Sequence, residues 1–332
     1  MSAPSCTRRD ILRSLAAACV LGPSLARAAD QDAFPSKPIR MIVPFAPGGS
    51  TDVLTRLIGA QLSGRLKQPV TVENRTGASG NIAADYVAKS PPDGYTLVMG
   101  SIGTHATNPL IYRDMPYDPV TDFAPIALAG EVTLVLVVHP DLKVQSVKEL
   151  VQLLKSRPGS ISYASGGVGA SQHLAAELFK YSTQTSMLHV PYKGSAGALV
   201  DLVSGRVPVM FADLPLVLPN IQSGALRALA VCDPVRNAVI PEVMTMQQAG
   251  VADYVATAWY ALFAPAKTPA DPLQILQRNV SAILHEPDTI KSIQDIGAKP
   301  GDAVGDKLRA FQLNEIARWK TVVKVAGISM DN

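Results

Sequence analysis

This sequence is short of the residues that several function classes demand. Aromatics make up 5% of its 332 residues and charged residues 17%, with no basic run interleaved with aromatic side chains. That argues against a nucleic-acid surface, which needs clustered Lys and Arg. The five histidines, His105, His139, His173, His189 and His285, show neither H-E-x-x-H nor Cys/His ligand spacing, so no metal and no other cofactor is expected. Cysteine is scarcer still. Cys6 and Cys19 lie in the N-terminal segment, and Cys232 by itself forms no intramolecular disulfide. Its place in the apolar run Leu226 to Cys232 points to a buried structural thiol. Disorder is excluded in turn, because 47% of the residues are hydrophobic.

The first thirty residues stand apart from the rest. Thr7-Arg8-Arg9-Asp10-Ile11-Leu12-Arg13 is a twin-arginine pattern, and the mostly apolar run Ser14 to Leu21 follows it. Ala26-Arg27-Ala28 supplies a small-x-small cleavage site, so residues 1–28 read as a signal peptide, Ala29 as the mature start and the periplasm as the destination. The apolar run is too short for a permanent membrane helix. Four arginines and one aspartate leave with this leader; taken from 30 basic and 27 acidic residues, they leave a neutral mature chain. The alkaline pI therefore implies nothing about acidic partners.

Beyond the leader, strand-like and helix-like segments alternate, which predicts an α/β fold with largely parallel sheets. Ile39 to Phe45, Val70 to Glu73, Tyr95 to Met99, Leu134 to Val138, Ile161 to Ala164, Leu188 to Val190 and Val207 to Phe211 read as strands. Helical periodicity lies between them, for example at Val53, Leu54, Leu57, Ile58 and Leu62. Two glycine-rich turns repeat one plan. Pro44-Phe45-Ala46-Pro47-Gly48-Gly49-Ser50-Thr51 and Tyr163-Ala164-Ser165-Gly166-Gly167-Val168-Gly169-Ala170-Ser171 each follow a strand and open a helix. A chain of this length, with one such turn early and one late, is expected to form two similar lobes. Phe123 to Ala129 and Ala258 to Phe263 are candidate crossings between them.

These turns are candidate anion sites. Ser50 or Thr51, and Ser171, lie where N-caps belong, and the N-terminus of a helix attracts anions without Lys or Arg. Either loop alone reads equally well as an ordinary connection; the pairing favours function, since ligands of such sheets sit at the carboxyl ends of strands. Neither loop has a Walker lysine or G-x-G-x-x-G spacing, so a carboxylate suits them better than a polyphosphate. Ser101 to His105 and Gly194 to Gly197 offer hydroxyls and amides at further strand ends. Asp213 either accepts a hydrogen bond from a ligand or caps the turn after its strand. His105 reads equally as pocket or structural, while His173 and His189 read as structural. There is no G-x-S-x-G elbow, and no serine can be paired with a base from sequence, so no enzyme is expected.

With these residues in hand, the chain resembles the Bug receptors, the extracytoplasmic solute-binding components of tripartite tricarboxylate transporters. The resemblance rests on Pro44 to Asp52, Glu73-Asn74-Arg75-Thr76-Gly77-Ala78-Ser79-Gly80-Asn81, Pro91-Pro92-Asp93-Gly94-Tyr95-Thr96, His105 with Asn108-Pro109, Tyr163 to Leu174, Val190-Pro191-Tyr192-Lys193-Gly194, and Leu226-Arg227-Ala228-Leu229-Ala230. It implies a two-lobed Venus-flytrap periplasmic-binding-protein fold, type II-like, with the ligand in the interlobe cleft. Residues 29–125 and 256–332 would form one lobe and 126–255 the other. It further implies a monomer that captures a small carboxylated solute (a dicarboxylate, an amino acid or an aromatic acid) and meets membrane permease subunits. A sensor feeding a membrane kinase is the alternative. By the same resemblance, Phe45, Gly48, Gly49, Ser50 and Asp52 belong to the first half of the clamp. Ser165, Gly167, Ala170 and His173 belong to the second, the last against its structural reading, and Thr104, His105 and Asp213 would vary with ligand. Ala170 departs from the serine or threonine common at its position, and Gly197, Met244 and Gln248 depart as well.

Overall fold

The computed structural model describes residues 34–328, and the leader read in residues 1–28 lies outside them. Strand β1 (Ile39–Val43) is almost wholly buried and passes through the first glycine-rich turn into α1 (Ser50–Leu66). Leu54, Ile58 and Leu62 recur every four residues along α1 and are buried, giving the apolar stripe that docks a helix on a sheet. Asp52 in its first turn and Arg65 in its last complement the helix dipole. Next come β2 (Val70–Asn74), α2 (Asn81–Ala88), β3 (Thr96–Ser101) and the short α3 (Asn108–Ile111). The long β4 (Phe123–Val138) leads to α4 (Val147–Ser156), β5 (Ser162–Ser165), α5 (Ser171–Thr183), β6 (Leu188–Pro191) and α6 (Ser195–Val203). The chain continues through β7 (Val209–Asp213), α7 (Leu214–Gln222), β8 (Arg227–Val231) and β9 (Thr257–Pro265). It then adds α8 (Ala270–Leu284), α9 (Pro287–Asp295), β10 (Ala298–Pro300) and α10 (Asp306–Ala326).

The strands run in the order β2-β1-β3-β9-β4-β7-β5-β6, with β8 and β10 also paired to β4. Strand β4 is shared by two half-sheets. Its residues Phe123 to Thr133 pair antiparallel with β9, and part of that stretch with β10. Leu134 to Val138 pair instead with β7 and β8. Each half holds three parallel neighbours, β2-β1-β3 on one side and β7-β5-β6 on the other. This is the two-lobed α/β architecture expected from the sequence, but the sheet is mixed instead of largely parallel, because β4 and β9 run antiparallel to every strand they pair with. The strand expected only over Leu134 to Val138 has 16 residues, because the preceding segment pairs with β9 instead of merely crossing. Register shifts after Pro125 and Leu128 bend that first portion, the former at a residue with no N–H to give a ladder. Cys232 is buried. Among the described residues no helix is long and apolar enough to cross a membrane.

Candidate functional site

Both glycine-rich turns leave their strands at the carboxyl end and open helices whose N-caps lack side-chain caps. The N-cap of α1 is Gly49 and that of α5 is Ala170, and neither N-cap side chain makes a capping hydrogen bond. This corrects the expectation that Ser50 or Thr51, and Ser171, occupy the caps. Ser50 and Ser171 are the first helical residues, so their hydroxyls stand beside first-turn amides instead of satisfying them.

A cavity lies where these loops meet. From one half it is lined by Phe45, Gly49, Ser50, Thr51, Ser101, Ile102 and Tyr260, and from the other by Gly166, Ala170, Ser171, Gln172, Ser195 and Asp213. The centre of a water molecule can occupy about 20 Å³ of it, room for about one ordered water. Its smallness has a visible cause. The loops of the two halves touch around it, as where the Thr107 hydroxyl donates to Gly169 O at 3.0 Å. A methyl group on Gly194 would sit 3.2 Å from Ala46 N. No lysine or arginine lines the cavity, so attraction for an anion would have to come from helix N-termini.

The polar side chains there form one network. Gln172 Nε2 donates to Asp213 Oδ1 at 2.7 Å and to Ser195 Oγ at 3.0 Å. The Tyr260 hydroxyl donates to Asp213 Oδ2 at 2.8 Å. Burial raises the Asp213 carboxyl above its ordinary range, and the donors Tyr260, Ser50 and Gln172 only partly counter it. Ser50 Oγ lies near enough to favour the carboxylate, yet it makes no hydrogen bond of good geometry and is buried without a partner. Burial and then the neighbouring Asp213 charge hold the Tyr260 phenol well above its usual value, so it is a donor throughout the neutral range.

Sequence and structure comparisons give the family. Residues 54–328 match the model of the tripartite tricarboxylate transporter family receptor. The chain belongs to that family. It is 40% identical over 300 residues to protein BugT of Bordetella pertussis, covering 90% of this chain and 92% of that one. Among solved structures it resembles Rpa4515 of R. palustris with adipate, at 41% identity and a TM-score of 0.88 over 90% of this chain and all of that one. It also resembles MatC of Rhodopseudomonas palustris with bound malate, at 32% identity and a TM-score of 0.84 over 87% of this chain and all of that one.

In this receptor the residues singled out from sequence divide into two groups. Phe45, Gly49, Ser50, Ala170 and Asp213 line the cavity together; Gly48, Asp52, Thr104, His105, Ser165, Gly167 and His173 do not. Several of the second group hold loops in shape. Asp52 accepts from Gly48 N at 3.1 Å, from Arg56 Nε at 3.0 Å and from Asn74 Nδ2 at 2.9 Å. Burial by itself would raise its carboxyl, but hydrogen bonds from Arg56, Asn74 and Gly48 together hold it below the ordinary range. Ser165 Oγ accepts from Gly167 N at 3.1 Å and lies 2.6 Å from His189 Nε2. His173 Nδ1 accepts from Gly169 N at 3.1 Å, and its ring stacks on His189 at 4.2 Å. A serine–histidine pair thus exists that sequence reading could not trace. Ser165 is fully buried and its hydroxyl is engaged with Gly167, which makes the pair a brace for the second loop.

Thr104 and His105 sit behind the cavity in one turn of π-helix, Gly103–Thr107. The His105 ring is stacked on Phe263 at 4.0 Å, and its Nδ1 lies 2.9 Å from Thr104 Oγ1. Burial, then the charge of Arg309, push its pKa down to about 3, so the ring is neutral. Sequence reading missed Gln172 and Tyr260. Gln172 could have been found from its place just inside the helix opened by the second turn. Tyr260 lies in mid-strand and carries no local signal.

Proposed function

We propose that this receptor captures a small carboxylic acid between its two lobes and delivers it to membrane permease subunits. One observation carries the reading. In a cavity without a single basic side chain, uncapped N-termini of α1 and α5 from opposite halves converge, with Ser50, Ser171 and Ser195 beside them. Such a site attracts an anion through dipoles and hydroxyls. Adipate in Rpa4515 and malate in MatC support a dicarboxylate as the solute class. Phe45, Gly49, Ser50, Ala170 and Asp213 are its proposed contacts. Gly48, Asp52, Ser165, Gly167 and His173 set the loops, and Thr104 and His105 act from behind. We take residues 29–125 with 256–332 as one lobe and 126–255 as the other, with β4 itself passing from the first half-sheet to the second between Thr133 and Leu134 and the cavity closing as the lobes approach.

Native mass spectrometry of freshly purified protein, followed by calorimetry with adipate, malate and benzoate, tests the reading. A retained or titrated acid is expected, with small-angle scattering showing compaction on binding. Failure of every acid to bind would refute it. A periplasmic location accords with the family, and export by the twin-arginine route is the proposed path. Replacing Arg8 and Arg9 with lysine should then leave precursor in the cytoplasm, as fractionation would reveal.

A further inference from the structure

Asp213 is out of place in a site for an anion. It is the N-cap residue of α7, where an aspartate ordinarily bonds back to its own helix, yet its side chain makes no capping bond. The side chain lines the cavity instead, 1% exposed. The groups that face it are Tyr260 from β9, Gln172 from α5 and Ser50 from α1, all neutral. From β4 its register partner is the apolar Leu134. Among the described residues no cation pairs with it. Each carboxyl oxygen accepts one hydrogen bond, Oδ1 from Gln172 and Oδ2 from Tyr260, and a carboxylate oxygen has room for more. Ser50 is 3% exposed and its hydroxyl is buried without a partner of good geometry, a donor ready for a second oxygen atom.

Ser50 and Asp213 line one small cavity, and Ser50 lies close enough to act on the Asp213 carboxyl. A carboxylate that accepts from Ser50 as the lobes close over it therefore stands against the Asp213 carboxyl. Two ionised carboxylates in contact in a buried site repel, and such pairs relieve the repulsion by holding one proton in common. We propose that the solute's carboxyl and Asp213 share one proton in the closed receptor, so that acid capture is coupled to protonation of this pair. The proton is taken up from solvent as the pair forms, bridges the two carboxyl groups as O–H···O⁻, and returns to solvent when the lobes open. The direction in which burial shifts Asp213 agrees with a carboxyl prepared to keep it. This inference rests on the reading of the cavity as a carboxylate site.

The test is calorimetry of the full mature protein with adipate, malate and benzoate from pH 6 to 9, in buffers of different ionisation enthalpy. For an acid that binds, affinity falls as pH rises, approaching tenfold per pH unit, while the proton count per ligand rises toward one. Asp213→Asn removes the shared proton, so its affinity becomes flat with pH and its proton count falls to zero. If that variant does not fold, the wild-type proton count still decides. An acid bound with flat affinity and no proton uptake across the whole range would overturn this inference alone. Failure of all three acids to bind at any pH would overturn the reading of the cavity and the inference with it.

Discussion

Acid should destabilise this receptor through the brace beneath its second loop, well before the bulk of its carboxylates titrate. His173 and His189 stack on each other at 4.2 Å, and Tyr163 stacks on His189 at 4.8 Å. Burial and then Lys180 push His173 down to about 4. Burial, followed by His173 and against the pull of Glu177, pushes His189 down to about 3. In the unfolded chain an imidazole takes its proton near pH 6.5. The unfolded state therefore binds protons first, and the stability present above pH 6.5 drains as pH falls toward 4. By pH 4.5 each ring accounts for roughly 2–3 kcal/mol, a large share of a typical stability of about 5–15 kcal/mol. His105, buried in the other half and held at about 3, adds a similar amount. Urea denaturation at pH 7.5, 6.5, 5.5 and 4.5 measures the loss. His189→Gln should be less stable at pH 7.5 but lose less on acidification, by about one imidazole's share. Stability that stays flat from pH 7.5 to 4.5, or a proton resonance of either ring titrating near 6.5, would refute the reasoning.

Three further outcomes are expected. Gly49→Ala should melt within about 4 °C of wild type, since its backbone is extended and a Cβ would find nothing nearer than Ala46 O at 4.0 Å; calorimetry should nevertheless show acid affinity reduced at least about tenfold, and full affinity would detach the first loop from the solute. Gly301→Ala should cost several kcal/mol in urea denaturation, because its Cβ would fall 2.1 Å from Leu128 O, a backbone atom of β4; near-native stability would contradict that close approach. Cys232 should ignore a chromogenic thiol reagent in the native protein and react only on unfolding, being buried and raised in pKa by that burial.

Much of the architecture was legible in the sequence by itself, because strand and helix periods are properties of neighbouring residues. The alternation of apolar runs with periodic helices marked nearly every element before β8, and the two glycine-rich turns located the cavity to the correct strand ends. Adjacent residues could not say which group meets which across the chain. Strand β4 extends to 16 residues because two successive sets of partners, distant in sequence, satisfy its backbone. Gly49 and Ala170 became N-caps, and the serines first-turn residues, through backbone conformation that tertiary packing fixes. Asp52 and Ser165, expected among the ligand groups, lie outside the cavity lining and accept hydrogen bonds from Arg56, Asn74 and Gly167 that no neighbouring residue announced. The meeting of Asp213 with Gln172 and Tyr260, separated from it by 41 and 47 residues, exists only once both halves are folded. Local sequence determined where an anion could be received; the tertiary structure decided that a buried carboxyl would stand beside it.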